Sequence, residues 1–239
     1  MSTMTIAPMT QPAAGRGERL HPPRGSRIYW HLTCLRRAIE EVIAEFLPSQ
    51  PSGRLVDYGC GNMPYRPLFE PRLDDYVGCD FPGNETADRI MVDRDRAPVA
   101  DGEADFVLST QVLEHVAEPA SYLAECRRML GNDGHLILST HGIWRYHPDP
   151  CDYWRWTSEG LRKAVEEAGF EIVRFRGIMS EAAIGMQLWQ DEAIQHMHPR
   201  LARMFTTVMQ YLIERVDRNH DTARRDASAS VFLLVARPA

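Results

Sequence analysis

The stretch Asp57-Tyr-Gly-Cys-Gly-Asn-Met-Pro64 decides the fold of this chain. A short apolar run, residues 54–56, precedes it, and a second apolar run, residues 75–79, ends in Asp80. The order of strand, glycine turn, helix, strand and acid is typical of a nucleotide-binding α/β unit. Glycines let the backbone approach a ligand closely, and the acid at the second strand end can hold two ribose hydroxyls.

Two features of the turn favour a cationic ligand over a dinucleotide. A dinucleotide fingerprint has a third glycine where Pro64 stands, and it aims backbone amides at a pyrophosphate. A carboxylate at the strand end, Asp57, would repel phosphate and attract a positive group. The turn resembles motif I, D/E-x-G-x-G, of the class I S-adenosylmethionine (SAM) methyltransferases. That ligand carries an ammonium and a sulfonium but no phosphate, so the resemblance argues against an NAD-dependent dehydrogenase.

A second signature lies further along the chain. Residues 93–105 read D-R-D-R-A-P-V-A-D-G-E-A-D, and an apolar run with the sequence F-V-L-S-T-Q-V-L-E-H follows. This resembles the type 11 small-molecule branch of the class I methyltransferases, which has D-A-x-x-L-P-F-x-D-x-S-F-D, a strand and then V-L-E-H. The chain departs from that branch at Pro64, Val99 and Ala104, none of which would make a polar contact to SAM.

The resemblance implies SAM as the cofactor, with S-adenosylhomocysteine as the product, bound outside the carboxyl ends of the strands. It assigns Asp57 to the methionine amino group, Asp80 to the ribose hydroxyls and Asp93 to the adenine amine. The other residues that it places around the cofactor are Gly59, Cys60, Gly61, Phe81, Arg94, Ser109, Thr110 and Gln111. Alternatively, Asp80 and Asp93 cap a helix or a turn.

Short apolar segments that alternate with helical patterns predict an α/β fold with a doubly wound, mostly parallel sheet. Seven strands are expected, at residues 54–58, 75–79, 89–92, 105–110, 135–140, 170–176 and 230–237. Helices are expected at residues 29–47 and 120–130, the latter ended by Gly131–Gly134, and after an N-cap at Thr157. The Rossmann-like methyltransferase fold implied by the resemblance has an antiparallel last strand.

The chain is expected to consist of an N-terminal tail and one folded domain. Residues 1–25 have the composition of a disordered tail, and residues 26–239 form a single SAM-binding domain. Residues 178–229 are expected to be a helical insertion before the last strand, and within it residues 217–230 are expected to be a loose loop. An apolar stripe on the second helix of the insertion either packs on the sheet or forms a lid or a dimer face.

The amino-acid composition argues against two classes of partner and indicates a cellular location. Lys and Arg number 27 against 33 Asp and Glu, which gives a net charge of −6 and argues against a nucleic-acid partner. No apolar run approaches membrane-spanning length, so no membrane partner is expected. Five scattered cysteines without a C-x-x-C pair are typical of reduced thiols, which predicts a cytoplasmic protein.

The loop at residues 140–157 carries the candidate chemistry. His141, directly after a strand, is the first candidate for a general base, and His147 is the second, oriented by Asp149 or Asp152. The candidate substrate-binding residues are Trp144, Tyr146, Asp152, Tyr153 and Trp154. The spacing of the histidine and aspartates matches no metal signature, so no metal is assigned. Alternatively, the whole segment is a structured loop in which Asp152 pairs with Arg155.

The expected activity is transfer of a methyl group from SAM to a small-molecule acceptor, most simply a hydroxyl of a sugar or natural product. N- or C-methylation is the alternative within the class, and a charged amine would favour Asp191 and Glu192 as its partners. A SAM-binding enzyme that transfers no methyl group, such as a cyclase or isomerase, is the alternative outside it. Glu114 and His115 are expected to be scaffold or, as the second reading, catalytic.

Overall fold

A seven-stranded sheet lies at the centre of the molecule. The computed structural model describes residues 16–92 and 96–239 and places the strands at β1 (Arg54–Tyr58), β2 (Asp75–Asp80), β3 (Arg89–Ile90), β4 (Ala104–Thr110), β5 (Leu130–His141), β6 (Phe170–Ser180) and β7 (Ala229–Pro238). Their order across the sheet is β3-β2-β1-β4-β5-β7-β6. Strand β7 runs antiparallel to β5 and β6, and the other pairs are parallel. The predicted fold class and the antiparallel last strand are confirmed.

Helices cover both faces of the sheet. They are α1 (Arg16–Leu20), α2 (Tyr29–Phe46), α3 (Arg66–Phe69), α4 (Pro119–Met129), α5 (Ser158–Glu167), α6 (Glu181–Ala193), α7 (Pro199–Arg218) and α8 (Thr222–Ala227). Helix α5 begins as the sequence predicts, because the Thr157 side chain accepts a hydrogen bond from the amide of Gly160 and satisfies a free donor of the first turn.

Side chains alternate between the two faces of each strand, and this alternation divides the core into two clusters. Leu55 of β1 belongs to the cluster under α2, α6 and α7, together with Ile39 and Ile213. The next residue, Val56, belongs to the cluster under α4 and α5, together with Leu123. Both faces of the sheet are therefore buried, as expected of a doubly wound fold.

Two strand boundaries differ from the sequence prediction. Strand β5 begins at Leu130, so Gly131–Gly134 is part of the strand and not a loop that ends the preceding helix. The register jumps from the Ala104–Leu130 pair to the Phe106–His135 pair, and this irregularity accommodates the extra residues. Strand β3 is two residues long and ends at Ile90, before the predicted end at residue 92.

The N-terminal boundary also differs from the prediction. Helix α1 lies within the segment expected to be disordered, and its last residue, Leu20, is buried in the same apolar cluster as Trp30. Burial of this leucine stabilises the position of the segment against α2. The ordered part of the chain therefore begins before residue 26; residues 1–15 lie outside the described ranges.

The insertion between β6 and β7 contains helices α6, α7 and α8. The loose loop expected at residues 217–230 is not found, because this range contains the end of α7, all of α8 and the start of β7. Of the two alternatives for the apolar stripe on α7, the exposure of Met204 and Val208 favours an open face, whereas Met209 and Ile213 are buried. Among the described helices, none is both long enough and apolar enough to cross a bilayer.

The buried carboxylate of Asp217, near the end of α7, connects four elements. Its Oδ2 accepts a hydrogen bond from the Trp30 indole of α2 at 2.8 Å, and its Oδ1 accepts one from the Ser180 amide of β6 at 2.7 Å. The guanidinium of Arg225 on α8 lies 3.7 Å from Oδ1. Removal of the carboxylate would leave these donors buried without an acceptor, which is costly.

Asp217→Ala is therefore expected to lower the free energy of unfolding by about 2–4 kcal/mol. Chemical denaturation followed by far-UV circular dichroism measures this change. Asp133→Ala, at an exposed position in β5, is the matched control and should change stability by less than about 0.5 kcal/mol. Equal stability of the two variants would contradict the assigned role of Asp217.

Candidate active site

The glycine turn after β1 has a backbone that only glycine allows at one position. Gly59 has φ +80°, and a Cβ there would lie 2.8 Å from the Val112 side chain. The Gly59 amide donates to the carbonyl oxygen of Cys79 at 2.9 Å, which holds the turn against the end of β2. The turn therefore passes close to the ends of two neighbouring strands, where a ligand can lie on its backbone.

Asp80, at the end of β2, fixes the other side of this turn. Its Oδ2 accepts hydrogen bonds from the Gly61 amide at 2.9 Å and from the Asn84 side-chain amide at 2.6 Å. Its Oδ1 accepts one from the Phe81 amide at 2.8 Å. A carboxylate has about four lone-pair sites, so one site on Oδ1 remains for a hydroxyl donor. This geometry supports the assignment of Asp80 to a ribose, and it shows that Asp80 also organises the turn.

Asp57 is buried at the end of β1. Its Oδ2 accepts a hydrogen bond from the Tyr76 hydroxyl at 2.6 Å. Burial raises the pKa of the Asp57 carboxyl to about 7, although the Tyr76 hydrogen bond acts in the opposite direction. A nearby ammonium group would favour the ionised form, so this carboxyl is suited to a cationic ligand.

A strained residue follows strand β4 at the same edge of the sheet. Gln111 has φ +58°, an uncommon conformation for a residue other than glycine, and its side-chain amide donates to Ser139 Oγ at 3.1 Å. The preceding Thr110 is half-buried. Both lie at the carboxyl end of β4, and their contact with the cofactor stays a prediction.

Ser109 lies at the end of β4 but its side chain is fully buried. Its hydroxyl is 2.8 Å from the Tyr122 hydroxyl, which in turn donates to the Tyr58 carbonyl oxygen. Because side chains alternate along a strand, Ser109 faces α4 while its neighbours face the other side. Its contact with the cofactor stays a prediction.

The remaining predicted cofactor residues divide into three groups. The Cys60 side chain is buried near Met63, so only its backbone belongs to the turn surface. Phe81 is about half exposed beside Asp80, at 47%, and is free to cover a flat ring. Asp93 and Arg94 lie outside the described residues.

The two predicted catalytic histidines lie together at the end of β5. The His141 and His147 rings are 4.9 Å apart and nearly perpendicular, and the Trp144 indole stacks on His141 at 5.0 Å with an interplanar angle of 7°. His31 of α2 contacts both of these rings, with ring centroids 4.4 Å from Trp144 and 5.8 Å from His141. Four rings from two separate segments therefore form one cluster.

Burial keeps these imidazoles neutral. It lowers the pKa of His31 to about 3, and it lowers the pKa of His141 well below the usual value for histidine. Burial also lowers the pKa of His147, although the Asp152 carboxylate opposes that shift. A neutral imidazole has a lone pair with which it can accept a proton.

The Glu114 carboxylate lies beneath the cluster and is fully buried. Its Oε2 accepts a hydrogen bond from the Thr140 hydroxyl at 2.8 Å, and its Oε1 lies 3.6 Å from His141 Nε2. Burial raises the pKa of the Glu114 carboxyl. The V-L-E-H segment thus contributes a side chain that contacts the candidate base.

The loop that carries His147 is fixed by Asp152, whose carboxylate accepts a hydrogen bond from the His147 amide at 2.8 Å. The Arg155 guanidinium binds both oxygens of that carboxylate at 2.6 Å, and this bidentate pair lowers the pKa of Asp152 although burial opposes it. Asp152 therefore orients His147 and also forms the structural ion pair. Asp149, the alternative orienting residue, is exposed.

The predicted aromatic residues separate into two groups. Trp144 lies in the histidine cluster, whereas Tyr146 is 70% exposed. The Tyr153 side chain is also exposed, and the Trp154 indole donates to the Val116 carbonyl oxygen at 2.7 Å. Among the predicted substrate-binding residues, Trp144 and Asp152 contact the histidines of the cluster.

His31 was missed by the sequence reading. It lies four residues before Leu35 and eight before Ile39 on the buried face of α2, so the helical period could have placed it there. The helical period alone, however, does not show that the buried face of α2 also contacts the loop after β5. Asn84, whose side chain joins Asp80 to the Gly61 carbonyl oxygen, was missed as well, and its sequence context offers no signal.

Residues 29–174 match the family model described as a methyltransferase domain. The chain belongs to the class I S-adenosylmethionine-dependent methyltransferases. It is 26% identical over 185 residues to a probable S-adenosylmethionine-dependent methyltransferase of Mycolicibacterium smegmatis, a match that covers 70% of this chain and 69% of that one. It is 31% identical over 159 residues to a ubiquinone biosynthesis O-methyltransferase of Dinoroseobacter shibae, covering 53% of this chain and 63% of the relative.

Among solved structures, the methyltransferase is similar to the [4+2]-cyclase SpnF. The TM-score is 0.53 at 20% identity, and the match covers 85% of this chain and 81% of that one. At this level of identity the likeness concerns the fold. The enzyme uses SAM, and the turn after β1 and the end of β2 supply a backbone surface and carboxylates that fit its ribose and its cationic methionine end.

The raised pKa of Asp57 predicts a pH-dependent affinity for SAM. The carboxyl is charged above pH 7 and neutral below it, so attraction to the ammonium group weakens as the pH falls. Between pH 8 and pH 6, the Kd of SAM is expected to rise by about tenfold in calorimetric titrations.

Asp57→Asn keeps the shape of the side chain but cannot ionise, and its Kd should be high at both pH values. Asp101→Asn, at an exposed position before β4, is the control and should keep the pH dependence of the unchanged protein. A flat pH profile for the unchanged protein would contradict the role of Asp57.

Proposed function

We propose that this methyltransferase transfers the methyl group of SAM to a hydroxyl of a small molecule, such as a sugar or a natural product, with His141 as the general base. The position of His141 carries the proposal. His141 is the last residue of β5, and Gln111, which follows the neighbouring strand β4, is predicted to lie near the methyl group. Ligands of open α/β sheets bind at these carboxyl strand ends.

Methyl transfer is an in-line displacement at the sulfonium. An oxygen lone pair of the acceptor forms the new bond to the methyl carbon, and the sulfur keeps the electron pair of the breaking bond, which yields neutral S-adenosylhomocysteine. A neutral His141 accepts the hydroxyl proton and becomes a cation. Glu114, 3.6 Å from Nε2 of that ring, stabilises the cation that forms.

The charges around the loop favour a hydroxyl over a charged amine. An amine acceptor would need a free acid, and the sequence offered Asp191 and Glu192 for that role. Asp191 is 3.4 Å from the Arg145 guanidinium and also accepts a hydrogen bond from Gln187, so its charge is compensated. Glu192 is exposed on the outer face of α6. The similarity to an enzyme named as an O-methyltransferase agrees with this proposal.

The proposal predicts that His141→Gln lowers kcat by about 100-fold or more, because general base catalysis contributes about that much. Transfer of an isotopically labelled methyl group from SAM to a panel of hydroxylated acceptors measures it. His196→Gln replaces an exposed histidine outside the cluster and should leave kcat unchanged. The affinity for SAM, measured by calorimetry, should be similar in all three proteins.

Asp80→Ala gives the complementary result. It should lose both SAM binding and methyl transfer, because it removes the acceptor of three hydrogen bonds in the cofactor turn. Methylation of amines but not of hydroxyls, or an unchanged kcat in His141→Gln, would contradict the proposal.

The alternative function is a cyclase or isomerase in which bound SAM acts as a fixed cation and no methyl group moves. The same assay separates the two functions. A cyclase or isomerase would bind SAM and convert its substrate, but no labelled methyl group would appear in the product.

A homodimer is proposed as the functional assembly. The outer face of α7 carries exposed apolar residues that neither the sheet nor α6 covers: Leu201, Met204, Val208, Tyr211, Leu212 and Val216. Contiguous apolar surface of this kind is typical of interaction sites.

The five cysteines are free, which supports a cytoplasmic location. The absence of a nucleic-acid partner stays a prediction from composition.

Light scattering is expected to give twice the mass of one chain. Met204→Glu places a charge in the proposed interface and should shift the protein to the monomer, whereas Arg127→Glu on α4 changes charge elsewhere and should not. A monomeric unchanged protein would contradict the proposed dimer.

A further inference from the structure

A cluster of potential metal ligands lies beside the candidate base. Glu114 and His115 follow β4, and His147 comes from the loop after β5. One ligand atom of each of these three residues lies within 4.8 Å of those of the other two. Typical metal bonds of about 2.0–2.2 Å place ligand atoms roughly 3–3.5 Å apart, so these side chains need to move by about 1 Å to surround one ion.

Hydrogen bonds orient both imidazoles of the cluster. Nδ1 of His115 is 2.5 Å from the carbonyl oxygen of Cys151, and Nδ1 of His147 is 3.1 Å from the carbonyl oxygen of Arg145. A carbonyl oxygen only accepts, so Nδ1 of His115 carries the proton and its Nε2 keeps the lone pair. Nδ1 of His147 also lies 3.3 Å from the Arg155 guanidinium, which only donates, so either ring nitrogen of His147 can carry the proton. Metal-binding histidines commonly have this arrangement, in which the second nitrogen donates to a carbonyl or carboxylate.

The third ligand is a buried carboxylate oxygen without a partner. Glu114 is fully buried, and its Oε1 has no hydrogen-bond donor among the described residues. The nearest ring nitrogens, Nε2 of His141 and of His115, lie 3.6 and 4.0 Å away. Buried unpaired carboxylates are costly, and a bound cation would compensate the charge.

The Arg155 guanidinium lies beside the cluster, and its charge is already compensated. It lies 3.3 Å from Nδ1 of His147. It is paired through two hydrogen bonds with Asp152. The Arg155 charge is therefore balanced by Asp152 and not by Glu114.

We propose that Glu114, His115 and His147 form a binding site for a divalent transition-metal ion such as Zn²⁺. Two imidazole nitrogens and one carboxylate oxygen are a donor set that Zn²⁺ and its neighbours in the first transition row accept. Mg²⁺ and Ca²⁺ prefer sets made of oxygen alone. Three protein ligands leave a coordination position open for a water molecule or a substrate oxygen.

This site deepens the proposed function and, for its role in the reaction, rests on it. An ion bound there would lie beside His141, where it would hold the acceptor oxygen and favour its deprotonated form. The metal site and the methyl acceptor can nevertheless be tested separately, because metal binding requires neither SAM nor an acceptor.

Calorimetric titration of the chelator-treated protein with Zn²⁺ is the test. One ion per chain is expected, with affinity that weakens as the pH falls, because protons compete for the ligands. Glu114→Gln removes the negative charge of the carboxylate, and His147→Asn removes the imidazole; each keeps much of the side-chain shape and should raise the Kd at least about tenfold. Titration with Mg²⁺ should give no comparable binding.

His196→Gln is the matched control, because His196 lies 3.7 Å from the Glu192 carboxylate in an exposed pair that could bind Zn²⁺ adventitiously. It should keep the full affinity. Thermal unfolding in the presence of chelator shows whether each variant is folded. If Glu114→Gln is unfolded, the conclusion rests on His147→Asn, which changes a half-buried residue.

Three results would overturn the metal site: no Zn²⁺ binding, binding that is unchanged in both ligand variants, or binding that is lost in His196→Gln. A protein that binds Zn²⁺ at this site but methylates no hydroxyl would overturn the proposed function instead. SAM titration of the same samples distinguishes these failures from a general loss of structure.

Discussion

The register of four parallel strands is the constraint on which the site depends. Asp57 of β1 is paired with Gly78 of β2 and with Leu108 of β4, and Thr110 of β4 is paired with Ser139 of β5. All four strands therefore end at one edge of the sheet. A slip of one residue in any pair would turn every side chain of that strand to the opposite face. The acids, the glycine turn and the histidine loop come together because this register is fixed.

Desolvation also determines the charge of the ionisable side chains at the site. Asp57, Glu114, His31 and His141 are all buried, and burial disfavours the charged form of each. Before its ligands bind, this edge of the sheet therefore holds acids and bases that are close to neutral. A cationic cofactor changes that balance locally, because it favours ionisation of the acids near it.

The local parts of this structure could be predicted from sequence. The Thr157 cap, the apolar strands and the glycine turn depend on neighbouring residues, and all three lie where the sequence put them. Ser109 shows a limit of prediction at a strand end, because neighbouring residues face opposite sides of the sheet and the sequence does not show which side holds the ligand. The α7 stripe was predicted correctly as a pattern, but the pattern cannot tell a face that packs on the sheet from one left open. Nothing in the sequence indicates that His31 belongs to the site, because its contact with Trp144 depends on how α2 packs against a loop far along the chain.

The position of β7 has a consequence for the order in which the chain folds during synthesis. Strand β6 is paired only with β7, and β7 is also the neighbour of β5. While the chain emerges from the ribosome, β1 to β5 can assemble as they appear, but β6 has no neighbouring strand to pair with until β7 has been made. The insertion helices also dock late, because Asp217 binds the Ser180 amide at the end of β6. The half of the sheet that holds the cofactor turn can thus form early, while the half that contains β6 is completed only when β7 inserts between β5 and β6.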